Sequence, residues 1–204
     1  MIRSVTVFCA ASGRVSASFL TCARQTGQAI ADAGWTLVYG GNRTGCMHEL
    51  AEGARSRGGR VVGVTPRLFV ERNYHDTAAD ELVVTDDMRQ RKLQMENRGD
   101  AFLILPGGLG TYEELFEQLV ARQLRFHAKP LVAVDVEGYF APLRDMLVHG
   151  HKLGFIKPAA LELLQYVRTP LEAVEAIRRA VVPAAHRTEP PSLGDLSYEA
   201  SGGR

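Results

Sequence analysis

A doubly wound α/β fold, a parallel sheet with helices on both faces, is predicted by three features of this 204-residue sequence. Short β-rich runs alternate with helical stretches of about 12 to 18 residues. Most strand-like runs open into a loop rich in glycine or small residues. One run, Ala101–Leu105 (AFLIL), is apolar throughout, as suits a strand covered on both faces. Strict alternation implies parallel neighbours, because each pair then needs a crossover connection.

The elements follow in order. Ser4–Cys9 (SVTVFC) reads as a strand and Ala10–Arg14 as its loop. Ser16–Ala33 carries a helical stripe of Phe19, Leu20, Ala23, Ala29 and Ile30, ended at Gly34. Trp35–Tyr39 is a second strand, Gly40–Gly45 a second loop, and Cys46–Arg57 a helix closed by Gly58-Gly59. Arg60–Thr65 is a third strand. Arg67–Asp80 has no clear period, and Glu81–Thr85 is a short fourth strand. Asp86–Arg98 is helical, Ala101–Leu105 a strand, and Tyr112–Arg125 a helix after a glycine-rich turn. Pro130–Val134 is a strand, followed by helices near Phe140–His149 and Leu171–Ala180. One domain over residues 1–182 is expected. The stretch 183–204, with three Pro, three Gly, three Ser and no hydrophobic period, is expected to be a mobile tail.

Composition removes several function classes. Hydrophobic residues are 46% and charged residues 23%, a balance that can bury a core. The 24 Lys+Arg against 23 Asp+Glu leave +1, with no block of like charge, so no nucleic-acid partner is expected. No apolar run approaches the roughly 18 residues of a membrane helix, so no membrane partner is expected, and no signal-peptide pattern opens the chain. Cys9, Cys22 and Cys46 are odd in number and lack CxxC spacing, which fits reduced thiols in a cytoplasm. Cys9 and Cys22 read as small core residues; Cys46, near a helix start, is the thiol most open to a lowered pKa. His149 and His151 are about 200° apart on a helix, so they do not chelate together and read as exposed. No metal site is expected.

In open α/β sheets ligands bind beyond the carboxyl ends of the strands. Three permissive loops gather there: Ser12-Gly13, Gly40-Gly41 with Gly45, and Gly107-Gly108 with Gly110. Together they suit a phosphate-sized site, although glycines also simply make turns. The sharpest motif is Pro106–Glu114 (PGGLGTYEE), where a buried strand turns into a helix whose free N–H groups can hold an anion. It lacks the GxxxxGK[ST] spacing of a P-loop. The first loop has a single glycine, so the GxGxxG dinucleotide fingerprint is missing as well. Thr111-x-x-Glu114 has two readings, a capping box or a functional carboxylate. Upstream, Asp87–Met95 (DMRQRKLQM) places Arg91 and Lys92 on a helix. A guanidinium there can fork onto a phosphate, yet Arg-Lys on a helix is commonly a solvated face, and Lys92 can pair with Glu96 at i,i+4.

PGGLGTYEE and MRQRK resemble the PGGxGTxxE and M-x-x-R-K elements of the LOG ("Lonely guy") family, cytokinin-activating phosphoribohydrolases long mislabelled as lysine decarboxylases. The resemblance runs from about Val5 to Ala180 and includes VFCAAS, YGGNRTGCM, VVGVTP and GFIKP. It implies a Rossmann-like fold, a homodimer or larger assembly, and hydrolysis of the N-glycosidic bond of a nucleoside 5′-monophosphate to free base and ribose 5-phosphate. By motif, it makes Arg91 and Glu114 catalytic. It makes Lys92, Gly107, Gly108, Leu109, Gly110 and Thr111 substrate-binding, with Ser12, Gly41, Thr44 and Gly45 on the neighbouring loops. It implies no metal and no cofactor. The decarboxylase label has little support: pyridoxal phosphate needs a Schiff-base lysine, and Lys92, Lys129, Lys152 and Lys157 carry no such motif. The alternative is a non-catalytic nucleotide or molybdenum-cofactor carrier on the same fold, which would have no need of Glu114.

The sequence departs from the family pattern at Ala10-Ala11, Asn42-Arg43, His48, Asn73 and Val120. These changes spare phosphoribosyl recognition. They leave open the N6 side chain and the base, so AMP or another nucleoside monophosphate is a candidate substrate.

Overall fold

The computed structural model describes residues 1–180, so the tail expected over 183–204 lies outside the described residues. Seven strands form one sheet: β1 (Ser4–Phe8), β2 (Thr36–Tyr39), β3 (Val61–Pro66), β4 (Glu81–Thr85), β5 (Ala101–Ile104), β6 (Leu131–Val134) and β7 (Leu164–Val167). Their order is β4-β3-β2-β1-β5-β6-β7, and every pairing is parallel. The chain winds outward from β1 to β4, then crosses back to start β5 beside β1. The two windings part between β1 and β5, which opens a crevice at their carboxyl ends. This is the Rossmann-like sheet that the alternation predicts.

The helices are α1 (Ala17–Asp32), α2 (Gly45–Arg55), α3 (Arg67–Glu71), α4 (Met88–Arg98), α5 (Leu109–Gln123), α6 (Ala141–Lys152), α7 (Pro158–Leu161) and α8 (Pro170–Arg179). Successive strand side chains alternate between two cores. Val5, Val7, Leu37, Tyr39 and Leu103 face Ala23 and Ile30 of α1, Leu50 of α2 and Ile177 of α8. Phe8, Val38, Phe102 and Ile104 face Met95 of α4, Leu115 of α5 and Leu143 of α6. Covering both faces is what requires AFLIL to be apolar without a break, at about 1.5–3 kcal/mol for each large side chain buried. Among the described residues, no helix is long and apolar enough to cross a membrane.

Four elements depart from the sequence expectation. The helix expected from Tyr112 begins at Leu109, because the Pro106-Gly107-Gly108 turn ends the extended chain earlier. The aperiodic stretch after β3 contains the single turn of α3. The edge strand β7 and the short α7 before it have no counterpart in the sequence reading. Four residues with the exposed Gln165 in second place give too little alternation to detect.

Candidate active site

The crevice is built from three loops tied to one another. In the first two, Oγ1 of Thr44 donates to the Ala11 carbonyl at 2.7 Å, and the Met47 amide donates to the Ala10 carbonyl at 3.1 Å. Gly45 adopts φ +60°, and a Cβ there would collide with the backbone of Ser12. Only glycine meets both conditions. Ser12, Thr44 and Gly45 therefore lie together. The third loop joins through the Ala10 amide, which reaches the Pro106 carbonyl at 3.4 Å. Tyr139, beyond β6, donates its hydroxyl to the Gly107 carbonyl.

Gly108 is the N-cap of α5, and no side chain caps that end. The first amides of the helix are left without a side-chain cap, an arrangement that can hold an anion. Thr111 is the third residue of α5 and is buried against Gly107, so the capping-box reading of Thr111 and Glu114 does not hold. The Glu114 carboxylate turns to Arg91 instead.

Asp87 caps α4 by accepting from the Gln90 amide at 2.8 Å. The only buried residues of α4 are Arg91 and Met95, one turn apart, so the face turned inward carries a guanidinium where a core residue would be expected. Arg91 is 3% exposed. Its Nε donates to the Val64 carbonyl at 3.0 Å, Nη1 to Oε1 of Glu114 at 2.9 Å, and Nη2 to the Gly40 carbonyl at 3.4 Å. A Cβ on Gly40 would strike this guanidinium. Burial pushes the Glu114 carboxyl above its ordinary value, and Arg91 draws it only part of the way back. The pair is a buried, hydrogen-bonded couple beside the uncapped end of α5.

Lys92 turns to the outer side of the same helix pair. Its Nζ contacts Glu113 at 2.7 Å and Glu117 at 3.2 Å, both on α5, rather than Glu96. The hydrogen bond to Glu113 holds the ammonium above its usual range. Gly41, with φ +65°, adjoins Gly40 and packs on Thr65. Leu109 and Gly110 are exposed at the start of α5.

The sequence reading missed Asp76. Its Oδ2 accepts from the Tyr39 hydroxyl at 2.6 Å and from Nη1 of Arg55 at 2.7 Å, and its amide donates to the Gly41 carbonyl at 2.7 Å. Burial alone would raise this carboxyl, but the Tyr39 and Arg55 bonds hold it below its usual value. An aspartate in an aperiodic stretch gave no signal.

Other candidates fall away. All three cysteines are free and buried. Burial raises the Cys46 thiol, so the lowered value left open for it near a helix start is not found, and burial pushes Cys22 up to about 11. His149 is exposed as expected, whereas His151 is half-buried with Nδ1 2.9 Å from the Ile156 carbonyl. Among the described residues no His/Cys/Asp/Glu group could hold a metal ion. Of the departures, Asn42 accepts from Thr44 at 2.9 Å, Asn73 is exposed at φ +55°, and Val120 is exposed on α5.

The protein family described as "possible lysine decarboxylase" matches residues 47–177. The cytokinin riboside 5′-monophosphate phosphoribohydrolase of Mycobacterium tuberculosis is 45% identical over 173 residues, covering 85% of this chain and 92% of that one. The enzyme of that name from Rhodococcoides fascians is 42% identical over 179 residues, covering 86% and 89%. Among solved structures, the molybdenum cofactor binding protein of Rippkaea orientalis superposes with a TM-score of 0.66 at 21% identity, covering 87% of this chain and 97% of that one. The molybdenum cofactor carrier protein of Chlamydomonas reinhardtii gives 0.65 at 22%, covering 88% and 98%. At such identities these two structures speak to the fold alone.

Proposed function

Since the chain belongs to the LOG family of cytokinin riboside 5′-monophosphate phosphoribohydrolases, we propose that it hydrolyses the N-glycosidic bond of a nucleoside 5′-monophosphate, AMP or an N6-substituted AMP. The bond from the base nitrogen to C1′ breaks, a water oxygen joins C1′, and a proton passes to the base. The products are free base and ribose 5-phosphate.

The observation that carries this reading is the buried Arg91–Glu114 pair beside the uncapped end of α5. Cleavage develops oxocarbenium character at C1′, which a carboxylate stabilises while orienting water. Glu114 has that role. Arg91 holds the carboxylate in place and opposes the effect of burial on it. The amides of Gly107, Gly108, Leu109, Gly110 and Thr111 bind the 5′-phosphate, with Ser12, Gly41, Thr44 and Gly45 closing the loops around it. Lys92, held by Glu113 and Glu117, adds positive charge beside the pair.

A carrier reading rests only on fold likeness at 21–22% identity, and a carrier has no use for a carboxylate at the ribose. The working form is a homodimer. Exposed Leu93 on α4 and Val120 on α5 supply apolar surface that supports it, and light scattering at micromolar concentration checks it. A cytoplasmic location fits three free, buried thiols.

The test is a panel of nucleoside 5′-monophosphates and their nucleosides, assayed for free base and ribose 5-phosphate together. Both products in equal amounts from a monophosphate, and none from its nucleoside, are expected. Equal turnover of AMP and adenosine contradicts the phosphate site, and no base from any monophosphate contradicts the reaction.

A further inference from the structure

The Gly40–Gly41 turn lies between two sets of contacts. On one side the Arg91 guanidinium rests against Gly40 so closely that a methyl group there would displace it. On the other, residues 74–76 run antiparallel to residues 41–43. The Asp76 amide donates to the Gly41 carbonyl at 2.7 Å, the Arg43 amide to the Tyr74 carbonyl at 3.0 Å, and Asn42 bridges His75. The buried Asp76 side chain, 7% exposed, anchors this segment. Its Oδ2 is bound by the Tyr39 hydroxyl and by Arg55, and its Oδ1 accepts from the Ala78 amide at 2.9 Å. Tyr39 is the last residue of β2, directly before Gly40, and is fully buried. Glu52 holds Arg55 at 2.7 Å, so the anchor reaches back into α2.

We infer that Asp76 is a positioning residue that fixes the Gly40–Gly41 floor beneath the Arg91 guanidinium and thereby sets the Arg91–Glu114 geometry. The inference rests on the proposed hydrolysis for its kinetic consequence but not for its structural one. Fixing the floor matters because a misplacement of about 1 Å at a reacting group can cost about a hundredfold in rate. Asp76 touches no reacting atom. Removing it slackens the turn, and the guanidinium loses both its acceptor at Gly40 and the surface that confines it.

The test uses the full chain with Asp76→Ala, Asp76→Asn and Tyr39→Phe. One readout needs no substrate: exchange of the Arg91 Nε–H with water, followed by NMR. The other is kcat and KM for AMP, measured where circular dichroism shows the variant folded. Asp76→Ala is expected to speed Nε–H exchange and lower kcat by about tenfold or more, with a smaller change in KM. Asp76→Asn, which keeps an acceptor for Tyr39, falls between it and wild type, and Tyr39→Phe moves in the same direction by less. Wild-type exchange and kcat in folded Asp76→Ala overturn the inference, even if its Tm is lower. If Asp76→Ala does not fold, Asp76→Asn and Tyr39→Phe decide by the same criteria. If the wild-type protein hydrolyses no monophosphate, the functional reading fails, and Nε–H exchange still decides the positioning.

Discussion

Nη1 of Arg91 lies 2.9 Å from Oε1 of Glu114, and neither side chain is more than 6% exposed. A buried ion pair is a poor source of stability, because desolvating both charges offsets their attraction. Removing one partner is costly, since the other charge is left buried alone. The pair is therefore best understood by what it does at the crevice, and its removal has a pH signature.

Arg91→Ala withdraws the countercharge, so the Glu114 carboxyl, already raised by burial, titrates higher still. A carboxyl whose folded pKa exceeds its unfolded value favours the fold while protonated, and this contribution is lost as pH rises through the folded pKa. The variant should lose about 3–5 kcal/mol at neutral pH and less in acid. Urea unfolding of both proteins at pH 5 and pH 8 measures this, and an equal loss at both pH values would contradict it.

Gly40 and Gly13 form a matched pair. A Cβ at Gly40 meets the Arg91 guanidinium and the end of Met47, whereas one at Gly13 meets nothing within 4 Å. Gly40→Ala should push the guanidinium out of line with Glu114 and lower kcat/KM about a hundredfold. Gly13→Ala should leave it near wild type. Similar kinetics for the two variants would show that the Arg91 position is not critical.

His127 tests the opposite end of the α4–α5 layer. It is buried between Phe102 and Gln118, with Nε2 3.2 Å from Oε1 of Gln118 and Nδ1 accepting from the Lys129 amide. Burial, with Lys129 and Arg122 nearby, lowers it from 6.5 to about 4. A depressed histidine gives stability that is present above its unfolded pKa and lost as pH falls from 6.5 towards 4. His127→Gln should flatten the fall in Tm over that window relative to wild type; parallel curves would contradict it.

Much of the fold was legible because both sheet faces are covered, which writes apolar runs such as AFLIL into the sequence. The edge strand Leu164–Val167 was not, being four residues long with one exposed polar side chain. In the site, PGGLGTYEE and MRQRK marked Arg91 and Glu114. Spacing alone could not decide between a cap and a functional carboxylate at Glu114, because its partner Arg91 is 23 residues away. Lys92 was open to pairing within its own helix with Glu96, yet a packed neighbouring helix offers Glu113 and Glu117. Asp76 was silent because its side-chain partners Tyr39 and Arg55 stand 37 and 21 residues away.

The most direct measurement is adenine release from AMP by Glu114→Gln against wild type, on protein shown to be folded. Glutamine keeps an acceptor for Arg91 and the same shape, so nucleotide binding should persist. It carries no charge to stabilise an oxocarbenium ion or orient water, so kcat should fall by about a hundredfold or more. Release of adenine and ribose 5-phosphate by the wild type, with loss of both in the variant, is expected. Undiminished release by a well-folded Glu114→Gln would contradict it and move the chemistry away from the Arg91–Glu114 pair.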